Sequence, residues 1–357
     1  MNQLLSIDKE CAMRKKIGFI SASLVFLISQ CVSPISIACS RFTYETDKNL
    51  VVTGRSMDWV EDLHTDLWAF PAGMKRVGGK EPNSVAWTSK YGSVIAAGYN
   101  MGAADGINTQ GLDANLLYLS SSDYGKPIVS YQNLSVLSWV QYILDNYATV
   151  SEAVTGFEKG QFNMVTPPLP KGFPATVHLA ITDASGDNAV FEYVHGKLQV
   201  HHGKQYIVMT NEPPYDKQLA LNDYWGNLKG VFLPGTAEPE DRFVRASYYV
   251  HAAPKNEDTA GAIATAFSII RNVSAPMTGQ VSGRPNVSQT IWRSVADLTH
   301  KTYFFENTDR PNVFWVDINK LDLKSGAAVK KLPLSQNEVY AGEVSAHFVK
   351  SDPFPMQ

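Results

Sequence analysis

Between Cys39 and Trp59 the sequence CSRFTYETDKNLVVTGRSMDW reads as a β-hairpin with the cysteine at its free end. Phe42 and Tyr44 alternate with Arg41 and Thr43, Asp47-Lys48-Asn49 forms a polar turn, and Leu50, Val51 and Val52 begin a return strand ending near Gly54. Antiparallel pairing then brings Arg55 back beside Cys39. Arg55 and Asp58 are three apart and face opposite ways on a regular strand. The strand is therefore expected to end or bend at Ser56 and Met57 for both side chains to reach the cysteine.

What precedes Cys39 gives the cysteine its meaning. Arg14, Lys15 and Lys16 are followed by an apolar run from Ile17 to Ile28, the helix breaker Pro34, and the small residues Ser36 and Ala38 flanking Ile37. That is the three-part plan of a secretory leader, so residues 1–38 are expected to be a removed signal peptide, with Met13 an alternative start. Cys11 and Cys31 leave with it, and Cys39 becomes the first residue and the single cysteine of an exported chain, periplasmic or secreted. A thiol and a free α-amine then share one carbon. An amine of pKa about 7.7–8.0 suits proton transfer to and from that thiol. A lipoprotein cysteine is the rival reading, but it favours Leu three before and Ala, Ser or Thr two before, where Ser36 and Ile37 stand.

The 31 Lys plus Arg against 34 Asp plus Glu leave no basic run for nucleic acid, and no later stretch has eighteen consecutive apolar residues to span a membrane. Beyond the hairpin, WAFPAG and VGGKEP read as loops and Tyr91 to Tyr99 as a buried strand. A turn at Asn108 to Gly111 leads to a strand from Leu112 to Leu119, making residues 91–119 a second hairpin. Helical spacing covers Leu134 to Tyr147, and a short helix from the cap Ser151 runs to Phe157. Thr176 to Thr210 reads as a meander of about four strands. Asp258 to Arg271 is a helix, apolar at Ala260, Ile263, Ala264, Phe267 and Ile270, and two strands flank Asn307 to Pro311. Runs of strands interrupted by helices give an α+β fold with layered sheets, in one domain over residues 39–357.

His201 and His202 are neighbours on a strand and face opposite sides, which makes a poor chelate. No GxSxG, P-loop or HExxH motif is present, so serine or zinc hydrolysis has no support. Asn211 lies in a Pro-rich turn, where asparagine is common for local hydrogen bonds. Arg242 and Arg245, three apart, are not separable by spacing.

CSRF from Cys39, GRSMDW from Gly54, GINTQGL from Gly106, TNEPPYDKQ from Thr210 and DRFVRA from Asp241 together resemble the choloylglycine hydrolase family, which includes penicillin V acylases and conjugated bile-salt hydrolases. The resemblance spans the chain after the leader and implies a four-layer αββα N-terminal-nucleophile fold, a homotetramer, and no metal or organic cofactor. By motif, Cys39 is the expected nucleophile and its α-amine the base. Arg55 favours thiolate, and Asp58 accepts a hydrogen bond from the amine. Asn211 donates its side-chain amide to the oxyanion with the Tyr118 backbone N–H as second donor, and Arg242 completes the charge network. Trp59, next to Asp58, and Tyr118, at a position lining the family's acyl pocket, imply an aromatic wall of the penicillin acylase type. The implied reaction is hydrolysis of a linear amide through a thioester, with penicillin V the first substrate, conjugated bile salts the second and N-acyl homoserine lactones the third. The alternative from another class is an inactive, lipid-anchored binding protein.

Overall fold

The computed structural model describes residues 39–228, 232–277, 288–336 and 338–355. The leader assigned to residues 1–38 lies outside the described residues. Strand β1 (Ser40–Glu45) pairs antiparallel with strand β2 (Val51–Trp59), with Arg41 opposite Arg55 and Ser40 opposite Ser56. The turn residue Asn49 has φ +58°, the left-handed conformation that asparagine tolerates. Gly54 is required by close approach, because a Cβ there would stand 2.5 Å from the Phe42 ring that lies across it.

These two strands sit inside a seven-stranded sheet, flanked by Val208–Thr210 on the β1 side and Gln289–Asp297 on the β2 side. A nine-stranded sheet lies against it. The two are joined by buried polar side chains: Arg41 Nε donates to Asn115 Oδ1 at 3.0 Å, Arg55 Nη2 to the Leu116 carbonyl at 2.8 Å, and the Tyr303 hydroxyl to Asp105 at 2.7 Å. Helices Pro239–Ala252 and Thr259–Asn272 cover the outer face of the first sheet, and helices Trp139–Asn146 and Val150–Gly160 the outer face of the second. The result is the expected four-layer αββα architecture. With both faces covered, every residue of β2 is buried, Arg55 and Asp58 included. An apolar core between the nine-stranded sheet and its helices is built on Trp139, Phe157 and Phe191; each such ring contributes about 2–3 kcal/mol by leaving water.

Several local expectations are corrected. Leu67–Phe70, which takes in the first three residues of WAFPAG, is a buried strand, because its apolar run lies between two paired neighbours. Residues 91–119 form three antiparallel strands, the middle one Gly102–Asn108. The helix expected from Leu134 begins at Trp139, after the short strand Gln132–Ser135 and a single 3-10 turn. The next helix is capped by the Thr149 hydroxyl, which accepts from the Glu152 N–H, and not by Ser151. The buried face of helix Thr259–Asn272 runs through Ala262, Ile263, Ala266 and Phe267, leaving Ala260 and Ala264 outside. The fourth strand of the 176–210 meander, Val208–Thr210, leaves that sheet and pairs with β1, which carries the following residue, Asn211, to the cysteine. His202 Nε2 lies 2.8 Å from Asp187, while His201 packs on Tyr215 with ring centroids 5.0 Å apart. Among the described residues no helix is long and apolar enough to cross a membrane.

Candidate active site

β2 does not end or bend at Ser56 and Met57. It continues to Trp59, and the irregularity is on its neighbour: Thr290 faces Asp58 and Trp292 faces Met57, so Ile291 is the extra residue of a bulge. Alternation along β2 therefore holds, and the site uses both faces. Met57 and Arg55 look toward the second sheet with the Cys39 thiol, while Ser56 and Asp58 look toward the helices.

On the inter-sheet face, Cys39 Sγ lies 3.8 Å from Met57 Sδ and accepts a hydrogen bond from the Asp58 main-chain N–H at 3.4 Å. Arg55 stops one thioether short of the thiol, with Nη2 3.7 Å from Met57 Sδ. Its guanidinium is anchored by Asp105 at 3.3 Å and by the Ala104 and Leu116 carbonyls, and lies 4.7 Å over the Trp292 ring. Burial pushes the Cys39 thiol above its ordinary pKa; the charges of Arg55 and Arg242 and the Asp58 N–H pull it down, and the Asp58 carboxylate pushes it up.

On the helix face, Arg242 is the organising cation. Fully buried, it donates from Nη1 to the Cys39 carbonyl at 2.6 Å and to the Ser40 hydroxyl, from Nη2 to Asn211 Oδ1 at 3.4 Å, and lies 3.9 Å from Asp58 Oδ2. Arg245 is directed away, to the carbonyls of Pro234 and Thr236. Asp58 accepts from Thr290 and Ser56. Burial raises its carboxyl to about 6, against the lowering effects of Arg242, those two hydroxyls and Arg293.

The main-chain nitrogen of Cys39 donates to Asn211 Oδ1, whereas Asp58 was the expected acceptor. The two N–H donors aimed at Oδ1, from Cys39 and Arg242, fix the asparagine's orientation, and its Nδ2 donates to the Tyr118 carbonyl at 2.8 Å. One Nδ2 proton is thereby used and one remains. Leu119 N–H turns to Thr176 at 3.0 Å, so in the extended chain the Tyr118 N–H points to the other edge of the strand, the edge of its own carbonyl.

The thiol opens into an apolar pocket walled by Met57, Trp59, Leu63, Tyr118, Leu137 and Val177. Trp59 meets Tyr118 edge-on at 6.0 Å and Phe173 at 5.5 Å, and its indole N–H is held by the Tyr99 hydroxyl at 3.0 Å. An arrangement of this kind can seat an apolar acyl group with its carbonyl over the sulfur. Ser56 and Met57 were expected only as the place of a bend, and Thr290 had no expected part. Period-two alternation through GRSMDW was enough to place Met57 with Arg55, but nothing in the sequence around Thr290 marks it.

The family described as linear amide C–N hydrolases, choloylglycine hydrolase family, matches residues 39–331. A penicillin V acylase of Pectobacterium atrosepticum is 44% identical over 348 residues, covering 90% of this chain and 93% of that relative. A bile salt hydrolase/transferase of Clostridium perfringens is 26% identical, covering 80% of this chain and 94% of its own length. The solved structure of a penicillin V acylase from Agrobacterium tumefaciens superposes with a TM-score of 0.83 at 50% identity, covering 89% of this chain and 99% of that one.

Proposed function

This chain belongs to the choloylglycine hydrolase family of linear amide C–N hydrolases, and on that premise we propose an exported amidohydrolase whose nucleophile is Cys39 and whose preferred substrate is penicillin V. The observation that carries the reading is a thiol and its own main-chain nitrogen held together by Asn211 and Asp58, at the mouth of a pocket lined by Trp59 and Tyr118. After cleavage ahead of Cys39 the nitrogen becomes an amine. It takes the thiol proton as sulfur attacks the amide carbonyl, and a tetrahedral oxyanion forms. The amine then gives that proton to the departing nitrogen as the C–N bond breaks, leaving a thioester. Water attacks the thioester carbon, its proton passes to the amine, and the acid leaves as the thiol is restored. Arg55 and Arg242 favour the thiolate. An ammonium also has two protons that the peptide nitrogen lacks, so it can satisfy Asn211 Oδ1 and turn to Asp58 as well. The second Nδ2 proton of Asn211 and the Tyr118 N–H are the oxyanion donors.

Asn211→Ala is expected to lower kcat by about two orders of magnitude, the usual cost of one oxyanion donor, with a smaller change in KM. Steady-state kinetics in which KM rises while kcat holds would make Asn211 a substrate-binding residue instead. Substrate choice is tested by turnover of penicillin V, glycocholate and acyl homoserine lactones side by side. The aromatic wall favours penicillin V, and a higher kcat/KM for glycocholate would move the chain to the bile-salt branch. Export and a homotetramer belong to the same proposal, supported by the leader pattern and the family resemblance. Intact mass is expected to give a chain beginning at a bare Cys39; a diacylglyceryl adduct there would favour the lipid-anchored alternative. Light scattering tests the tetramer.

A further inference from the structure

We infer that Thr290 is a positioning residue for this reaction: held on the bulge of strand Gln289–Asp297, its hydroxyl fixes the Asp58 carboxylate on the helix face of β2, beside Arg242. The inference rests on the proposed role of Asp58. A threonine hydroxyl has one proton to give and two lone pairs to receive with. Here the Ala275 N–H donates to one lone pair of Oγ1 at 2.9 Å, and the hydroxyl proton goes to the acceptor-only carboxylate, Asp58 Oδ1, at 2.5 Å. The main chain that carries the threonine is held in place. Its own N–H donates to the Ala275 carbonyl at 3.0 Å, closing a reciprocal pair. The Thr308 hydroxyl lies 2.8 Å from the carbonyls of both Thr290 and Ile291, pinning the bulge.

The bulge is what makes the contact. Were the pairing regular, the register set by Trp292 opposite Met57 would place Ile291, and not Thr290, opposite Asp58. Asp58 would then lose the donor on Oδ1, keeping the Ser56 hydroxyl on Oδ2 at 3.3 Å and Arg242 at 3.9 Å. The charged or titratable groups facing this carboxylate are Arg242 from helix Pro239–Ala252, Arg293 from the strand of Thr290, and Cys39 ahead of β1. None of them changes when the Thr290 hydroxyl is removed.

A donor to a carboxylate stabilises its ionised form, so removing the donor raises the pH at which Asp58 becomes charged. In Thr290→Val, which keeps the shape and drops the hydroxyl, the acid limb of kcat/KM for penicillin V is expected to move up by roughly one pH unit, the scale of one hydrogen bond to a charged group. The plateau above the limb should stay within about tenfold of the parent. Thr290→Ser keeps the hydroxyl and should superimpose on the parent profile. Thr290→Ala takes the place of Thr290→Val should the latter not fold. An acid limb unmoved in the hydroxyl-free variant, or moved equally in Thr290→Ser, overturns the inference. Asp58→Asn separates the levels: full activity there defeats the proposed role of Asp58 itself, whereas an inactive Asp58→Asn beside an unshifted Thr290→Val defeats only the part given to Thr290.

Discussion

Replacing Cys39 with alanine is expected to reduce hydrolysis by about a millionfold, the scale seen when the nucleophile of a catalytic unit is removed, while the fold is retained. The reasons lie on both sides of the residue. Sγ is the one nucleophilic atom at the mouth of a pocket whose other walls are apolar or aromatic, so no neighbour is available to replace it. Its loss removes a single buried atom in contact with Met57 Sδ and the Asp58 N–H, at 3.8 and 3.4 Å, both longer than a strong hydrogen bond. The stability cost is therefore about 1 kcal/mol, and the thermal midpoint should fall by only a few degrees. The measurement is turnover of penicillin V beside a thermal melt. A folded variant that still turns over would place the nucleophile elsewhere.

The first hairpin was legible because its signals are local. Phe42 and Tyr44 alternate with polar residues, and Asp47-Lys48-Asn49 supplies a turn with a residue suited to positive φ. Once the hairpin was drawn, Arg55 had to return to the cysteine. The expected bend failed for an instructive reason: it assumed that all site residues share one face of one strand. The structure puts a layer on each side of β2, so Arg55 and Asp58 serve the cysteine from opposite faces. That arrangement depends on what covers the sheet, which no single strand records.

The two unassigned helices failed for opposite reasons. Tyr215–Gly226 buries only Tyr215 and Gln218, too little for an apolar stripe. Pro239–Ala252 has a substantial buried face, but Arg242 stands in the middle of it, and a cation at a core position breaks the hydrophobic pattern by which a helix is recognised. The residue that hid the helix is the one that ties Cys39, Asn211 and Asp58 together. Spacing could not separate it from Arg245; burial and hydrogen bonding do.

The nitrogen of Cys39 supports a second large effect. A chain carrying one extra glycine ahead of Cys39 is expected to lose a factor of about 10³ in kcat relative to a chain beginning at Cys39, the contribution typical of a general base. A peptide nitrogen has one proton, already given to Asn211 Oδ1, and no lone pair with which to accept another. A free amine has both, and its surroundings bear on its charge: burial and the Arg242 guanidinium, 2.6 Å from the cysteine's own carbonyl, favour the neutral base, while the Asp58 carboxylate favours the ammonium that forms after the thiol proton is taken. Thiol access has to be separated from loss of the base, and iodoacetamide does so. Alkylation of Cys39 in the extended chain shows that the sulfur is still reachable, so the missing turnover is assigned to the nitrogen. An extended chain that matches the parent in kcat would take the α-amine out of the mechanism and leave the proton transfer to another group.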